Sequence, residues 1–264
     1  MDKISKKHAD VPDKEPTLDI QKMRRDLSLT ETAKKFKTVP SLQILLMFDI
    51  TGSMFKYFDL IRKKLQEIAQ SVKEIVPSAQ FAVFAYRNHG DEERHEQIFY
   101  STPLTPNIKI LSQEIQSIKK GGGGDDALTC LEDCLVEANS LGWNKASAKT
   151  IVVIGDMPPH GVIDSFGQCP NEIDYRDEVN ELISKNVTVY SVFCGKNAKA
   201  KGFFRWLANK TGGRFLNLDQ IDILKDILVA ICMKQTGNLA KHLSDLRQKK
   251  MLTREKEEIL LLLQ

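Results

Sequence analysis

The pattern of apolar and polar positions changes sharply at Leu42. Residues 1–40 are polar, of mixed charge and interrupted by prolines, which predicts an arm too poor in apolar side chains to fold by itself, with a short helix over Asp19–Phe36. From Leu42 to Phe48 the chain is almost continuously apolar, as is typical of a strand covered on both faces. After about residue 235 the chain becomes charged again. The pattern therefore predicts an N-terminal arm (1–40), a folded domain (41–235) and a helical tail (236–264).

Within the domain, short apolar runs alternate with segments of helical periodicity. This alternation predicts an α/β fold with a doubly wound, mostly parallel six-stranded sheet and helices on both faces. A short link between the second and third runs predicts one antiparallel edge strand. The predicted strands are 42–48, 81–86, 98–102, 150–154, 187–193 and 214–218; helices are predicted within 54–76, 108–118, 128–138, 179–183, 203–208 and 219–235.

Candidate ligands for a metal follow the first predicted strand. Asp49, Thr51 and Ser53 stand at alternate positions at the mouth of a helix. They offer the hard oxygen ligands that Mg²⁺ prefers at about 2.0–2.1 Å, and Gly52 allows a tight turn around an ion. The alternative is a helix N-cap without metal, since these residue types are also favoured caps.

Two further acidic loops strengthen the metal interpretation. The glycine run 121–124 ends in Asp125 and Asp126, and the strand at 150–154 leads into Asp156. Ligands of such sheets bind beyond the carboxyl ends of the strands, where these loops are expected to meet. Several carboxylates at one edge would repel each other without a common cation. The sequence therefore predicts a site for Mg²⁺ or Mn²⁺.

From about Gln43 to Gln235 the chain resembles the von Willebrand factor A (VWA) family. That family carries a metal-ion-dependent adhesion site with the pattern Asp-x-Ser/Thr-x-Ser, which Asp49, Thr51 and Ser53 match. The resemblance implies metal-dependent recognition of a partner protein, in which the ion bridges to an acidic side chain of the partner. It also implies that the closing helix, 219–235, shifts when the site is occupied.

The other loops match the family less evenly. Asp156 corresponds to the last-loop Asp, which in the family acts through water. The second loop of the family supplies a Thr after paired glycines, whereas this chain has Asp125 there, with Asp126 as the competing assignment.

Three turns resemble those of the A domains associated with alpha-kinases. They are the glycine run ending in Asp, the turn Tyr86-Arg87-Asn88-His89, and the turn 156–161 with its Asp-x-Pro-x-His-Gly pattern. Asn88 replaces the Asp that is usual in that branch. No kinase domain follows in this sequence, so kinase activity is not expected.

Arg87, His89, Asp126 and His160 are expected near the same edge. On a functional interpretation they form a rim that contacts the partner. On the alternative interpretation Arg87 pairs with a nearby acid, and each histidine caps or hydrogen-bonds within its own loop.

Composition excludes several classes of protein. The net charge of the 264 residues is only +3 and no segment is both basic and aromatic, so a nucleic-acid partner is not expected. No apolar run approaches the roughly 20 residues of a membrane span. Five sparse cysteines indicate free thiols and a cytoplasmic location, and Cys130 and Cys134, one helical turn apart, lack a matching pair for a soft metal.

The motifs do not favour an enzyme. A haloacid-dehalogenase-type phosphotransferase needs a second Asp two residues after the first, where this chain has Thr51. An aspartic protease needs Asp-Thr/Ser-Gly, and Ile50 separates Asp49 from Thr51. The glycine run also lacks the Lys-Ser/Thr of a phosphate-binding loop.

The alternative to metal-dependent recognition is a scaffold protein that uses its tail. The chain ends with the apolar run Ile259–Leu263 before Gln264, and such a run has to be covered. Segment 253–264 either packs back onto the domain or inserts into a helical partner's groove.

Overall fold

A computed structural model describes residues 41–91, 97–122, 126–235, 238–249 and 251–261. Asp125 and the predicted arm, with its helix at 19–36, lie outside these ranges. The strands are β1 (Leu42–Asp49), β2 (Gln80–Tyr86), β3 (Phe99–Ser101), β4 (Ala148–Gly155), β5 (Val187–Phe193) and β6 (Phe215–Asn217). The α-helices are α1 (Phe58–Ile75), α2 (Ile108–Ser117), α3 (Leu131–Ser140), α4 (Tyr175–Ser184), α5 (Ala198–Lys210), α6 (Ile223–Gln235), α7 (Leu239–Gln248) and α8 (Arg254–Leu261).

In the described ranges the strands form one six-stranded sheet in the order β3-β2-β1-β4-β5-β6. All neighbouring strands are parallel except β2 and β3, which are antiparallel. The predicted α/β fold with one antiparallel edge strand is thereby confirmed. The connections agree with this arrangement, because parallel strands need a crossover segment, usually a helix, whereas the described part of the link 87–98 between β2 and β3 contains no helix.

Helices cover both faces of the sheet. Successive side chains of a strand point to opposite faces, so Ile44 and Leu46 of β1 pack in one core cluster and Leu45 and Met47 in another. The first cluster includes residues of α1, α2 and α6, and the second includes residues of α3, α4 and α5. Burial on both faces is the reason that β1 is continuously apolar.

A 3₁₀ turn delays the start of two helices relative to their periodicity. A 3₁₀ turn, Gly52–Met54, precedes α1, which therefore starts at Phe58. Another 3₁₀ turn, Leu218–Gln220, precedes α6, and the side chain of Gln220 accepts a hydrogen bond from the backbone N–H of Asn217. In both cases a turn fixed by local hydrogen bonds occupies the residues that the pattern assigned to the helix.

The C-terminal helices pack against the domain in the described part of the tail. Leu239, Leu243 and Leu260 are buried in the core cluster that contains α1 and α6. Lys256 Nζ lies 2.8 Å from Asp226 Oδ2, which joins α8 to α6. These contacts favour the self-packing alternative for residues up to 261. No helix of the described ranges is both long enough and apolar enough to cross a membrane.

Candidate functional site

Three neighbouring strands bring the predicted ligand loops to one edge of the sheet. β1 lies between β2 and β4 and is parallel to both, so their carboxyl ends meet. Asp49 is the last residue of β1, and Asp156 directly follows β4. Thr51 and Ser53 lie in the turn after β1.

Four of the predicted ligands form one continuous group of polar contacts. Asp49 Oδ1 accepts from the backbone nitrogen of Thr51 at 2.7 Å and from its hydroxyl at 2.6 Å. The hydroxyl oxygens of Thr51 and Ser53 are 3.3 Å apart, and Ser53 Oγ donates to Asp156 Oδ1 at 2.9 Å. Asp49 is 1% exposed whereas Ser53 is exposed, so the group opens to solvent on the side of Ser53.

The second oxygen of Asp49 lacks a partner. Asp49 Oδ2 is buried and accepts no hydrogen bond from any described residue. Burial, together with the negative charge of Asp156, raises the pKa of Asp49 to about 8. Burial also raises the pKa of Asp156. A carboxylate held in this way is unfavourable unless a positive charge accompanies it.

Close packing behind the two carboxylates depends on glycine. A Cβ at Gly155 would lie 2.6 Å from Tyr86 Oη and 3.2 Å from Asp49 Cβ, and one at Gly195 would lie 2.9 Å from Asp156 Cβ. A Cβ at Gly52 would meet no atom within 4 Å. The protein atoms around Gly52 therefore leave room for a side chain, and the close packing that requires glycine lies behind the site.

The residues present suit a hard divalent cation. Asp49 Oδ2, the hydroxyls of Thr51 and Ser53 and the carboxylate of Asp156 are all oxygen donors, the type that Mg²⁺ and similar ions prefer. Asp49 Oδ2 is the ligand atom that the described residues leave without a partner.

Asp126, the competing second-loop residue, is engaged elsewhere. Its Oδ1 accepts from Asn88 Nδ2 at 2.6 Å and from the backbone nitrogen of Leu128 at 2.7 Å. Its Oδ2 is 3.1 Å from His160 Nε2. The structure thus brings Asp126 together with Asn88 and His160, while Asp125 is outside the described residues.

The predicted rim requires a correction. His89 is 8% exposed and His160 is 3% exposed, so neither side chain lies on an accessible rim. Within the described residues, the hydrogen bond of the Arg87 side chain goes from Nη1 to the carbonyl of Gln97 at 2.7 Å and not to an acid. Both histidines lie inside the protein, where they contact acidic side chains.

A second group of polar side chains surrounds His89. It consists of four buried residues, namely His89, Glu132, Asp133 and Cys169, and their candidate ligand atoms all lie within 4.8 Å of one another. A group of this kind could hold a metal ion. His89 Nε2 is 3.0 Å from Asp133 Oδ2, 3.6 Å from Glu132 Oε1 and 3.6 Å from Cys169 Sγ. We call this group the His89 cluster.

Electrostatics within the His89 cluster oppose the effect of burial. Burial lowers the pKa of His89, but hydrogen bonds to Asp133 and Glu132 outweigh it and raise that pKa to about 11. Burial raises the pKa of Glu132, but hydrogen bonds from His160 and His89 bring it below its ordinary value. In the absence of a metal, a protonated histidine would balance these carboxylates.

The sequence analysis missed the His89 cluster. Glu132 and Asp133 stand in the first turn of α3, where acids are common because they favour the helix dipole. Cys169 comes from a distant loop, and its spacing from the other members carries no metal-binding signature. The available signal was the pair of adjacent acids inside the apolar pattern of α3.

Comparisons with known proteins give distant relatives. No protein-family model matches the chain. Over 186 residues, covering 67% of this chain and 29% of the relative, it is 27% identical to the alpha-protein kinase vwkA of Dictyostelium discoideum. Over 189 residues, covering 67% of this chain and 18% of the relative, it is 24% identical to a putative ariadne-like RING finger protein of Acanthamoeba polyphaga mimivirus. The chain thus spans less than a third of the length of either protein.

The fold is similar to that of a bacterial adhesin. The open conformation of the pilus adhesin SpaC from Lactobacillus rhamnosus GG superposes with a TM-score of 0.56 and 12% identity, covering 77% of this chain and 31% of the adhesin. Another SpaC structure gives a TM-score of 0.54 and 11% identity, with the same coverage. At this identity the likeness concerns the fold alone.

Proposed function

We propose that this chain is a VWA-type recognition module that binds a partner protein through Mg²⁺ or Mn²⁺. Asp49, Thr51, Ser53 and Asp156 would hold the ion. The observation that carries the proposal is the buried Oδ2 of Asp49, which lacks a hydrogen-bond partner among the described residues and stands beside a second carboxylate.

The fold and the comparisons support the VWA assignment. The motif residues lie at the carboxyl ends of central strands, as the resemblance implies. The relative with 27% identity is an alpha-protein kinase, which agrees with the branch that the turns resemble. A protein with a similar fold is an adhesin, and adhesion to another molecule is the class of function that we propose here.

Each ligand residue has a separate task in this proposal. Thr51 holds the Asp49 carboxylate in position through two hydrogen bonds. Ser53 connects this turn to Asp156 and lies on the solvent side. When bound, the cation would supply a positive charge at the surface that attracts an acidic side chain of the partner. Because two carboxylates already share that charge, we expect the attraction to be moderate.

We propose that the module binds without catalysing a reaction. Thr51 occupies the position where a phosphotransferase of the haloacid-dehalogenase type needs its second Asp, and the Thr51 hydroxyl is bonded to Asp49. We also propose that it works in the cytoplasm, because the five cysteines, all within the described ranges, are free and buried.

A scaffold role through the C-terminal tail is less favoured. Leu260, the second residue of the terminal apolar run, is buried in the domain core, and α8 is joined to α6 by Lys256 and Asp226. Less of the tail is therefore left for a helical partner.

The test is a calorimetric titration of the metal-free chain with Mg²⁺ and with Mn²⁺, accompanied by thermal melting. We expect saturable binding and a higher Tm for the wild type, no binding for Asp49→Ala, and wild-type behaviour for Asp245→Ala, an exposed carboxylate on α7. The absence of saturable binding in the wild type would overturn the metal site.

The recognition step needs its own test. Proteins captured from a cell extract by the immobilised chain are compared in Mg²⁺ and in a chelator, for the wild type and for Asp49→Ala. Partners retained only by the wild type in Mg²⁺ support the proposal. Partners retained equally in all conditions would contradict metal-dependent recognition.

A further inference from the structure

We propose that the His89 cluster is a second, buried metal site, selective for Zn²⁺ over hard cations such as Mg²⁺. The ligand atoms are His89 Nε2, Cys169 Sγ and one carboxylate oxygen each from Glu132 and Asp133. This site shares no ligand with the one at Asp49, and the inference does not rest on the proposed recognition function.

The distances within the cluster match a tetrahedral site. Zinc bonds of about 2.0–2.3 Å in tetrahedral geometry place neighbouring ligand atoms about 3.3–3.8 Å apart. His89 Nε2 is 3.6 Å from Cys169 Sγ and 3.6 Å from Glu132 Oε1. Cys169 Sγ is 3.9 Å from Asp133 Oδ2. Among these four separations, that of 3.0 Å between His89 Nε2 and Asp133 Oδ2 has to lengthen by a few tenths of an ångström, and all the ligand atoms lie within 4.8 Å of one another.

The types of ligand select the metal. A thiolate and an imidazole are soft or borderline ligands that suit Zn²⁺, whereas Mg²⁺ keeps to oxygen. Sulfur, nitrogen and two carboxylate oxygens also complete a four-coordinate closed site, and closed sites of this kind are structural. The ion would therefore stabilise the fold.

An unsatisfied carboxylate oxygen points to a missing ligand independently of these distances. Glu132 is 0% exposed, and its Oε2 has no hydrogen-bond partner among the described residues. A buried carboxylate oxygen of this kind destabilises the folded protein unless a hydrogen-bond donor or a metal satisfies it. A cation in the cluster would neutralise this carboxylate.

Neighbouring groups already orient the ligands. Asn171 Nδ2 donates to Asp133 Oδ1 at 2.6 Å, which leaves Oδ2 towards His89, and the backbone nitrogen of Asn171 donates to Cys169 Sγ at 3.4 Å. His160 Nδ1 lies 2.7 Å from Glu132 Oε1. Partners of this kind fix the orientation of metal ligands and contribute to affinity.

The site would connect three segments that are distant in sequence. His89 follows β2, Glu132 and Asp133 begin α3, and Cys169 lies in the loop before α4. Binding to the folded state alone raises stability, so free Zn²⁺ at a hundred times its Kd should raise the Tm by about 5–10 °C.

The test uses Co²⁺ as a spectroscopic probe on the full metal-free chain, followed by competition with Zn²⁺. We expect one equivalent of Co²⁺ with thiolate-to-cobalt charge-transfer absorption in the near ultraviolet, displaced by Zn²⁺. Cys169→Ser should lose this absorption. Two control variants should keep the absorption: Asp49→Asn, and Cys232→Ala, which alters a buried thiol in the core cluster that contains α1 and α6.

A second variant covers the case in which Cys169→Ser fails to fold. Asp133→Asn keeps the size of the side chain and should weaken Zn²⁺ by at least about tenfold while the thiolate absorption persists at saturating Co²⁺. Absence of Co²⁺ binding in the wild type, or thiolate absorption that survives Cys169→Ser, would overturn the proposal. The cluster would then be a network of ion pairs, and the Asp49 site would be unaffected by that result.

Discussion

Ser53 Oγ donates a 2.9 Å hydrogen bond to Asp156 Oδ1 although the two residues are 103 positions apart in the sequence. This bond joins the turn after β1 to the loop after β4. It completes the series of polar contacts that runs from Asp49 through Thr51 and Ser53 to Asp156. The polar groups are therefore held in place by the protein before any ion arrives. A site organised in advance loses less conformational entropy on binding.

Neutralising Asp49 should stabilise the metal-free protein. In Asp49→Asn the buried group is neutral at every pH, so folding no longer requires it to take up a proton or to carry a charge beside Asp156. The amide oxygen can still accept from Thr51. We expect the Tm in chelator to rise by several degrees, while Mg²⁺ no longer raises it. Asp245→Asn, on the exposed surface of α7, should behave as the wild type in both conditions. A lower Tm for Asp49→Asn in chelator would contradict the electrostatic argument.

The stability of the metal-free protein should fall as pH rises between about 4 and 8. The pKa of Asp49 is about 8 in the folded protein and near its ordinary value of 3.8 when unfolded. Between these values the folded state holds a proton that the unfolded state has released, so each rise in pH favours unfolding. Urea unfolding in chelator across this range measures the slope. Asp49→Asn should have a shallower slope, and an equal slope in both proteins would assign the effect to other groups.

A methyl group behind the site should disturb it. Gly155→Ala places a Cβ against Tyr86 Oη and Asp49 Cβ, both in the packed interior. We expect the free energy of unfolding to fall by about 1–3 kcal/mol and Mg²⁺ binding to weaken. The matched control is Gly142→Ala, because its Cβ would meet nothing within 4 Å. Urea unfolding and calorimetry measure the two effects, and unchanged Mg²⁺ affinity would show that the site tolerates the displacement.

Replacing Asn88 by Asp, the residue that is usual in the A domains that its turn resembles, should destabilise the protein. Asn88 Nδ2 donates to Asp126 Oδ1 at 2.6 Å, so Asn88→Asp would bring two carboxylates together. We expect a loss of about 1–3 kcal/mol in the free energy of unfolding at neutral pH. Asn180→Asp, on the exposed surface of α4, is the control. Equal stability of the two variants would mean that Asp126 moves freely away from residue 88.

The packing of α8 predicts different effects for two adjacent leucines. Leu260 is fully buried, so Leu260→Ala should cost about 2–5 kcal/mol. Leu261 is 41% exposed, so Leu261→Ala should change stability by less than about 0.5 kcal/mol. Urea unfolding of both variants is the measurement. Equal small effects would indicate that α8 leaves the domain in solution and would revive the scaffold interpretation.

The sheet and the oxygen site could be predicted because their signals are local. A strand buried on both faces, such as β1, is continuously apolar, and Asp49, Thr51 and Ser53 belong to one turn. Asp156 could be placed beside them because the carboxyl ends of neighbouring parallel strands meet.

The burial of the histidines and the exact helix starts could not be predicted, because they depend on contacts that leave no periodic pattern in the sequence. His89 and His160 look like surface loop residues until Glu132, Asp133 and Asp126 are seen to receive them inside the protein. The start of α1 and α6 also depends on 3₁₀ turns whose hydrogen bonds are not visible in an apolar pattern.

A short backbone bridge has a thermodynamic consequence for the two sites. Thr129, two residues before α3, pairs with Pro159, which lies between Asp156 of the oxygen site and His160 beside the His89 cluster. The turn 156–160 therefore borders both sites, so a displacement of this turn by an ion at one end would be transmitted to the other end. By reciprocity of linked equilibria, any factor by which Zn²⁺ strengthens Mg²⁺ binding is the factor by which Mg²⁺ strengthens Zn²⁺ binding.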